Sequence, residues 1–234
     1  MRRGMSVKRI VRKAVRAVYD LSGLRGWLTD DAPHPLAGDR CIEWQWVLDK
    51  LPAPPATVLE IGCGHAPTAG IAAVRGLEVT GVDLLELGYG LPHLTFVKGD
   101  ATKLDFLESH FDRVVLCSTI EHVGLEGRFT SSEDEGGDLA LMDRIRPWLK
   151  PSGRLLLTLP VGRDAVFRPM HRIYGETRLP KLLAGYAATE EAYWIKSPEG
   201  MWQPAQRSEA LAYEGSADLY ALGLFSLMPD QEQG

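Results

Sequence analysis

Cysteine is scarce in this chain of 234 residues: Cys41, Cys63 and Cys117 are all it has, and they lie far apart. Their spacing excludes a disulfide framework or a zinc ribbon and fits a reducing cytoplasm. Long apolar runs are absent too. Nothing approaches the roughly 18 consecutive apolar residues of a transmembrane helix, so a spanning segment is not expected. The first residues are basic but lack the continuous apolar stretch of a signal peptide. There are no repeats and no low-complexity tract.

What is present supports one α/β domain with an appendage. Hydrophobic residues make up 45% of the chain, enough for a sizeable core at this length. The net charge of −5 is uneven. Residues 1–25 hold eight basic side chains (Arg2, Arg3, Lys8, Arg9, Arg12, Lys13, Arg16, Arg25) against Asp20, a net of +7, which leaves −12 on the rest. An acidic body excludes an ordinary nucleic-acid surface. Within the basic segment, Val7, Ile10, Val11, Ala14, Val15, Val18 and Leu21 recur at three- and four-residue steps, the pattern of an amphipathic helix with a cationic opposite face. Three readings stand for it: a helix docked as a cover on the body, a contact with an anionic membrane surface, or a nucleic-acid contact made by the basic arm alone. Residues 1–36 are therefore read as a helix and linker, and 37–234 as the domain.

Further on, strands and helices alternate, which predicts a parallel sheet. A helix over 39–50, with Ile42, Trp46, Val47 and Leu51 on its apolar side, is ended by Pro52, Pro54 and Pro55. Strands are predicted over 57–61, 78–82, 94–97, 113–117, 154–159, 186–195 and 219–227. Helices are predicted over 68–75, 138–149 and 176–183, a turn at 150–153, and an acidic loop at 131–138.

The stretch 58–67, VLEIGCGHAP, organises the rest. A buried strand breaks at a Gly-x-Gly turn and a helix follows, which sets backbone N–H groups and bare backbone beside a ligand. Glu60, at the strand end, can neutralise a cationic group or hold the glycine loop. Asp83 follows 23 residues later at the end of the next strand, where a carboxylate can accept both hydroxyls of a ribose. A nicotinamide dinucleotide site would use the same acid, but its fingerprint needs a small residue where Pro67 stands.

These residues resemble motif I of the class I S-adenosylmethionine-dependent methyltransferases, with Ala66 at the third glycine position. The later motifs follow in order. Lys98-Gly99-Asp100-Ala101 resembles the third motif, in which the acid meets the adenine amino group. Residues 111–123, FDRVVLCSTIEHV, resemble motif IV of small-molecule methyltransferases, which often carry a Glu-His pair. Residues 149–160 resemble the family's fifth strand and its lead-in. The segment 160–174 is similar to bacterial methyltransferases found with surface-polysaccharide enzymes. The resemblance spans roughly residues 58–228.

The resemblance implies a Rossmann-like seven-stranded sheet, mostly parallel with the last strand antiparallel, flanked by helices and preceded by the N-terminal extension. It implies a cytoplasmic enzyme that moves a methyl group from S-adenosylmethionine to a small-molecule or glycan-type acceptor. The cofactor would be held by Glu60, Gly62, Cys63, Gly64, Asp83, Leu84, Asp100, Ala101, Ser118 and Ile120. Glu121, Arg163, Arg172 and Tyr174 would hold the acceptor. His122 would accept its proton, with His171 second. For each histidine a structural role stands beside the catalytic one. Glu121 and His122 serve as metal ligands in some relatives, but two ligands are too few, and no metal is expected. The (Asp/Asn/Ser)-Pro-Pro-(Tyr/Phe) motif of base-amine methylation is absent, so nucleic acid is not an expected partner. Trp194 and Trp202 are read as packing residues or as a stacking surface for a sugar. The alternatives are an NAD-binding oxidoreductase, or a methyltransferase-like binding protein without turnover.

Overall fold

The computed structural model describes residues 36–230 apart from 65, 88 and 127–132. The basic helix predicted at 7–21 lies outside the described residues, as does the start of the acidic loop. The described elements run in order α1 (Asp39–Lys50), β1 (Thr57–Ile61), α2 (Thr68–Val74), β2 (Glu78–Asp83), β3 (Leu94–Lys98), β4 (Phe111–Cys117), α3 (Gly137–Ile145), β5 (Leu149–Val161), β6 (Ala165–Phe167), β7 (His171–Ile173), α4 (Arg178–Leu182), β8 (Tyr186–Lys196), β9 (Trp202–Ala205), α5 (Arg207–Ala212) and β10 (Ala221–Pro229). No described helix is long and apolar enough to cross a membrane.

Among the described residues one eight-stranded sheet runs β3-β2-β1-β4-β5-β10-β8-β9, and β6 and β7 form a separate hairpin. β1 pairs in parallel with both β2 and β4. β10 lies antiparallel to β5 and to β8. The central strands are apolar on both faces because both are covered. Leu59, Val114, Leu116, Leu155 and Leu157 face one core with Leu141, Met142 and Ile145 of α3. Val58, Val115 and Leu156 face the other with Ala69, Ala72 and Ala73 of α2 and Val47 of α1. Strand order reverses between β1 and β4, and ligands of open α/β sheets bind outside the strand ends at such a point.

Besides the β6–β7 hairpin, the fold departs from the sequence expectation at β9, within β5 and at the end of α3. An eighth strand, β9, is added beyond β8. It is held where Trp194 and Trp202 pack on the cluster of Ile173, Tyr220, Leu222 and Leu224. The turn expected at 150–153 is a bulge inside a longer β5: Leu149 pairs with Phe111, and pairing resumes at Arg154 with Arg113. Gly153 permits it, since a Cβ there would lie 2.8 Å from the Phe111 carbonyl oxygen. The helix expected to reach 149 ends at Ile145 and tightens into a 3-10 turn, Arg146–Trp148, at Pro147, which has no N–H to continue the ladder.

Candidate active site

The chain leaves β1 through Gly62, whose φ is +82°. A Cβ at Gly62 would meet Thr119 Oγ1 at 2.2 Å. Glycine is thus required twice, by its left-handed backbone and by the arm after β4 that lies on it. The Gly62 amide donates to the Val82 carbonyl at 2.8 Å, and the Gly64 amide donates to Asp83 Oδ2 at 2.7 Å. Asp83 Oδ1 accepts from the Leu85 amide at 2.8 Å. Asp83 therefore clamps the glycine turn to the loop after β2. Each carboxylate oxygen accepts more than one hydrogen, so the group keeps capacity for a ligand. Leu84, next in the chain, is 42% exposed.

Glu60 is buried at the end of β1 and accepts the hydroxyl of Thr68, the first residue of α2. It ties the strand to the helix across the glycine turn. Burial pushes its carboxyl up to about 7, with the Thr68 hydrogen bond acting the other way. Cys63 is also buried, its Sγ 2.9 Å from where a Cβ on Gly81 would stand. Burial, then the nearby Glu60 and Asp83 carboxyls, pushes its thiol up to about 12, so it is a packing group and no nucleophile. Tyr89, which the sequence did not single out, lies over α2, its hydroxyl 3.4 Å from the position of a Cβ on Gly70.

Parallel pairing of β2 with β3 sets Asp83 opposite Lys98, and the Gly99 amide donates to the Asp83 carbonyl at 2.9 Å. This brings Asp100 beside the same strand ends. Asp100 Oδ1 accepts from the Thr102 amide and hydroxyl at 3.0 and 2.7 Å, capping the 3-10 turn Ala101–Lys103. Burial would raise its pKa, but those bonds and the Lys103 ammonium outweigh burial and hold it below the usual carboxylate value. Ala101 is buried in the core beneath.

After β4 the backbone takes a left-handed turn at Ser118, φ +45°. The Ser118 amide donates to both the carbonyl and the hydroxyl oxygen of Thr158 on β5, at 3.0 and 3.1 Å. Its hydroxyl donates to Glu43 of α1. Glu43 Oε1 also accepts from Thr158 Oγ1 at 2.6 Å, and Oε2 accepts from Arg40 Nη1 at 2.6 Å. The arm then forms a 3-10 turn, Ile120–His122. His122 Nδ1 lies 2.6 Å from the Met170 carbonyl oxygen. A carbonyl only accepts, so Nδ1 carries the hydrogen and the neutral ring presents Nε2 as its proton acceptor. That nitrogen lies 3.6 Å from Glu121 Oε1.

The structure brings Gly62, Gly64, Asp83 and the Ser118–Thr119 corner together at the strand ends, with Glu121 and His122 in the 3-10 turn that follows. Five expected roles are corrected. Glu121 is buried, its carboxylate beside the His122 ring, and it lines no acceptor space. Ile120 is fully buried in the main core and walls no open crevice. Tyr174 is 0% exposed, and its hydroxyl donates to Asp138 at 2.8 Å. Arg172 is buried and donates to the Val123 carbonyl at 2.6 Å. His171 is buried between Phe167 and Tyr220, with ring centroids at 5.8 and 5.0 Å. The cause is common to the last three: the segment after β5 is no open lid but the β6–β7 hairpin, and all of β7 is buried. Beneath it Arg178 grips Asp138 through Nη2 at 2.6 Å and Nε at 3.1 Å. Arg163 lies apart on the surface, 3.9 Å from Glu214.

A family model described as a Caenorhabditis protein of unknown function, DUF268, matches residues 96–201. No curated protein matches the chain. Among solved structures, the chain is similar to 1,6-didemethyltoxoflavin-N1-methyltransferase from Burkholderia thailandensis, solved with 1,6-didemethyltoxoflavin and S-adenosylhomocysteine bound. That match has a TM-score of 0.53 and 18% identity and covers 98% of this chain and 94% of that one. A SAM-dependent methyltransferase from Methanosarcina mazei matches with a TM-score of 0.54 and 15% identity, over 80% of this chain and 98% of that one. The [4+2]-cyclase SpnF matches with a TM-score of 0.56 and 18% identity, over 82% and 81%. The chain has the Rossmann-like fold of the class I methyltransferases.

Proposed function

We propose that this chain is an S-adenosylmethionine-dependent methyltransferase that binds the cofactor across the ends of β1, β2 and β4 and acts on a small-molecule or glycan-type acceptor. The observation that carries the reading is the glycine turn clamped by Asp83 at the reversal of strand order. The residues present fit an adenosyl group. Bare backbone at Gly64 lies against a carboxylate, a second carboxylate stands at the end of β3, and exposed apolar side chains, Leu84 and Tyr89, flank them. Asp83 would hold the ribose hydroxyls and Asp100 the adenine amino group.

When bound, the cofactor would supply an electrophilic methyl group on a sulfonium, a good leaving group. The protein's task is then to align acceptor and donor in line, which supplies about 7–11 kcal/mol of barrier reduction. A hydroxyl acceptor must also lose its proton. His122 is assigned that role, because its Nδ1–H is engaged by Met170 and its Nε2 is the basic nitrogen.

Calorimetry with S-adenosylhomocysteine and with NADH tests the cofactor. Binding of NADH alone would end the reading. A screen of cell-envelope glycan intermediates with labelled methyl donor then seeks the acceptor. Because a [4+2]-cyclase shares this fold, the fold alone does not specify methyl transfer; a methyltransferase-like binding protein without turnover is the second reading, and binding with no labelled product would favour it.

The basic segment 1–25 is proposed to add a peripheral contact with anionic membranes, worth about 1 kcal/mol per basic residue near the surface and lost at high salt. Co-sedimentation with anionic liposomes, comparing the full chain with one beginning at Trp27, tests it. Equal sedimentation would leave the docked-cover reading.

A further inference from the structure

We infer that Glu43 of α1 is a positioning residue that sets the arm carrying Thr119, Glu121 and His122, an inference that rests on the methyltransferase reading for its catalytic meaning. The sequence gives helix α1 an ordinary apolar side, yet Glu43 is fully buried on it. A buried carboxylate is costly unless paired and hydrogen-bonded. Here it is both: Arg40 supplies the charge at 2.6 Å, and the hydroxyls of Ser118 and Thr158 complete the shell.

Those two hydroxyls belong to the ends of β4 and β5, flanking the crevice. Ser118 is a non-glycine residue in left-handed backbone, a conformation that persists only when its surroundings over-determine it. The surroundings are on the page: the amide is held by Thr158 and the hydroxyl by Glu43. With Ser118 fixed, the next residue, Thr119, is laid on Gly62 of the glycine turn. Three residues further on, His122 is brought to Met170. The series Glu43–Ser118–Thr119–Gly62 thus connects a helix outside the cofactor motifs to both halves of the site. Glu43, having no exposed surface, touches neither ligand, so its influence passes through Ser118.

The test compares Glu43→Ala, Glu43→Gln and Thr158→Val with the full-length wild type. It uses S-adenosylhomocysteine affinity by calorimetry and the His122 ring-nitrogen NMR signals, with thermal melts alongside. Glu43→Ala is expected to weaken ligand binding by about tenfold or more, the scale of one lost charge-assisted hydrogen bond, and to shift the His122 signals. Glu43→Gln keeps an acceptor for the two hydroxyls and should restore both readouts, affinity to within about threefold. Thr158→Val, milder in packing, should move both in the direction of Glu43→Ala and decides the matter if that variant does not fold. Unchanged affinity and unchanged His122 signals in folded variants of lower stability would reduce Glu43 to a packing role and overturn the inference. Should the wild type bind no S-adenosyl ligand, the cofactor reading falls, while the His122 signals still decide the role of Glu43.

Discussion

Asp83 accepts the backbone amide of Gly64 at 2.7 Å, so the acid at the end of β2 and the turn at the end of β1 are one unit. Any ligand held by the carboxylate is thereby registered against the glycine backbone.

Asp83→Ala should therefore lose ligand contacts and loosen the turn together. Two charge-assisted hydrogen bonds at the low end of their range come to about 3 kcal/mol, on the order of a hundredfold in affinity. Calorimetry with S-adenosylhomocysteine measures it, and a loss under about tenfold would place the ribose elsewhere.

Glu60 gives a pH signature. Its carboxyl is held at about 7 in the fold against an ordinary 4.5, so the folded chain keeps this proton more tightly than the unfolded one. The associated stability is whole below about pH 4.5 and is lost as pH rises through about 7, a swing on the order of 3 kcal/mol. Glu60→Gln should match the wild type near pH 4.5 and exceed it at pH 8. Urea melts at the two pH values check this, and an equal offset at both would mean that the fold does not raise this carboxyl.

At Ser118 the backbone and the side chain can be separated. Ser118→Ala removes the bond to Glu43 and keeps the left-handed backbone, while Ser118→Gly removes both the bond and the conformational cost. The glycine variant should be the more stable by about 1 kcal/mol. Equal melts would show that φ +45° costs nothing here.

The two histidines should part company. With a hydroxyl acceptor, His122→Ala should lower turnover by about 10²–10⁴-fold and leave S-adenosylhomocysteine binding intact. His171→Ala should instead lower the melting temperature, since its ring packs between Phe167 and Tyr220. If neither change reduces turnover more than a few-fold, histidine base catalysis is wrong and an amine acceptor or positioning alone accounts for the rate.

The legible parts of this fold are those in which local pattern and tertiary burial agree. β1, α1 and α2 fall within a residue of expectation because proline and glycine bound them, and their apolar positions keep one period. β6, β7 and β9 were missed because three- and four-residue strands of mixed polarity carry no period, and long-range pairing alone stabilises them. Tyr174 and Arg172 are expected at the acceptor because the family resemblance puts the segment after β5 there. Their partners, Asp138 and Val123, lie 36 and 49 residues away. Glu43 was invisible for the same reason, its hydroxyl partners being 75 and 115 residues distant.

The eighth strand bears on how the molecule behaves in a crowded solution. β8 is eleven residues long and without β9 would end the sheet as an open ladder of N–H and C=O groups, a template for a second chain to join. β9 moves that border outward and makes it four residues long. Pro204 sits within it, opposite Trp194, and removes an N–H donor from the new border. The part of β8 that β9 does not reach carries Glu190 and Glu191, charges that resist register with a neighbour. This short edge strand, remote from the glycine turn in the sheet order, thus acts as a guard against self-association. Deleting it should show first as loss of soluble protein at high concentration, ahead of any change in the chemistry at the other side of the sheet.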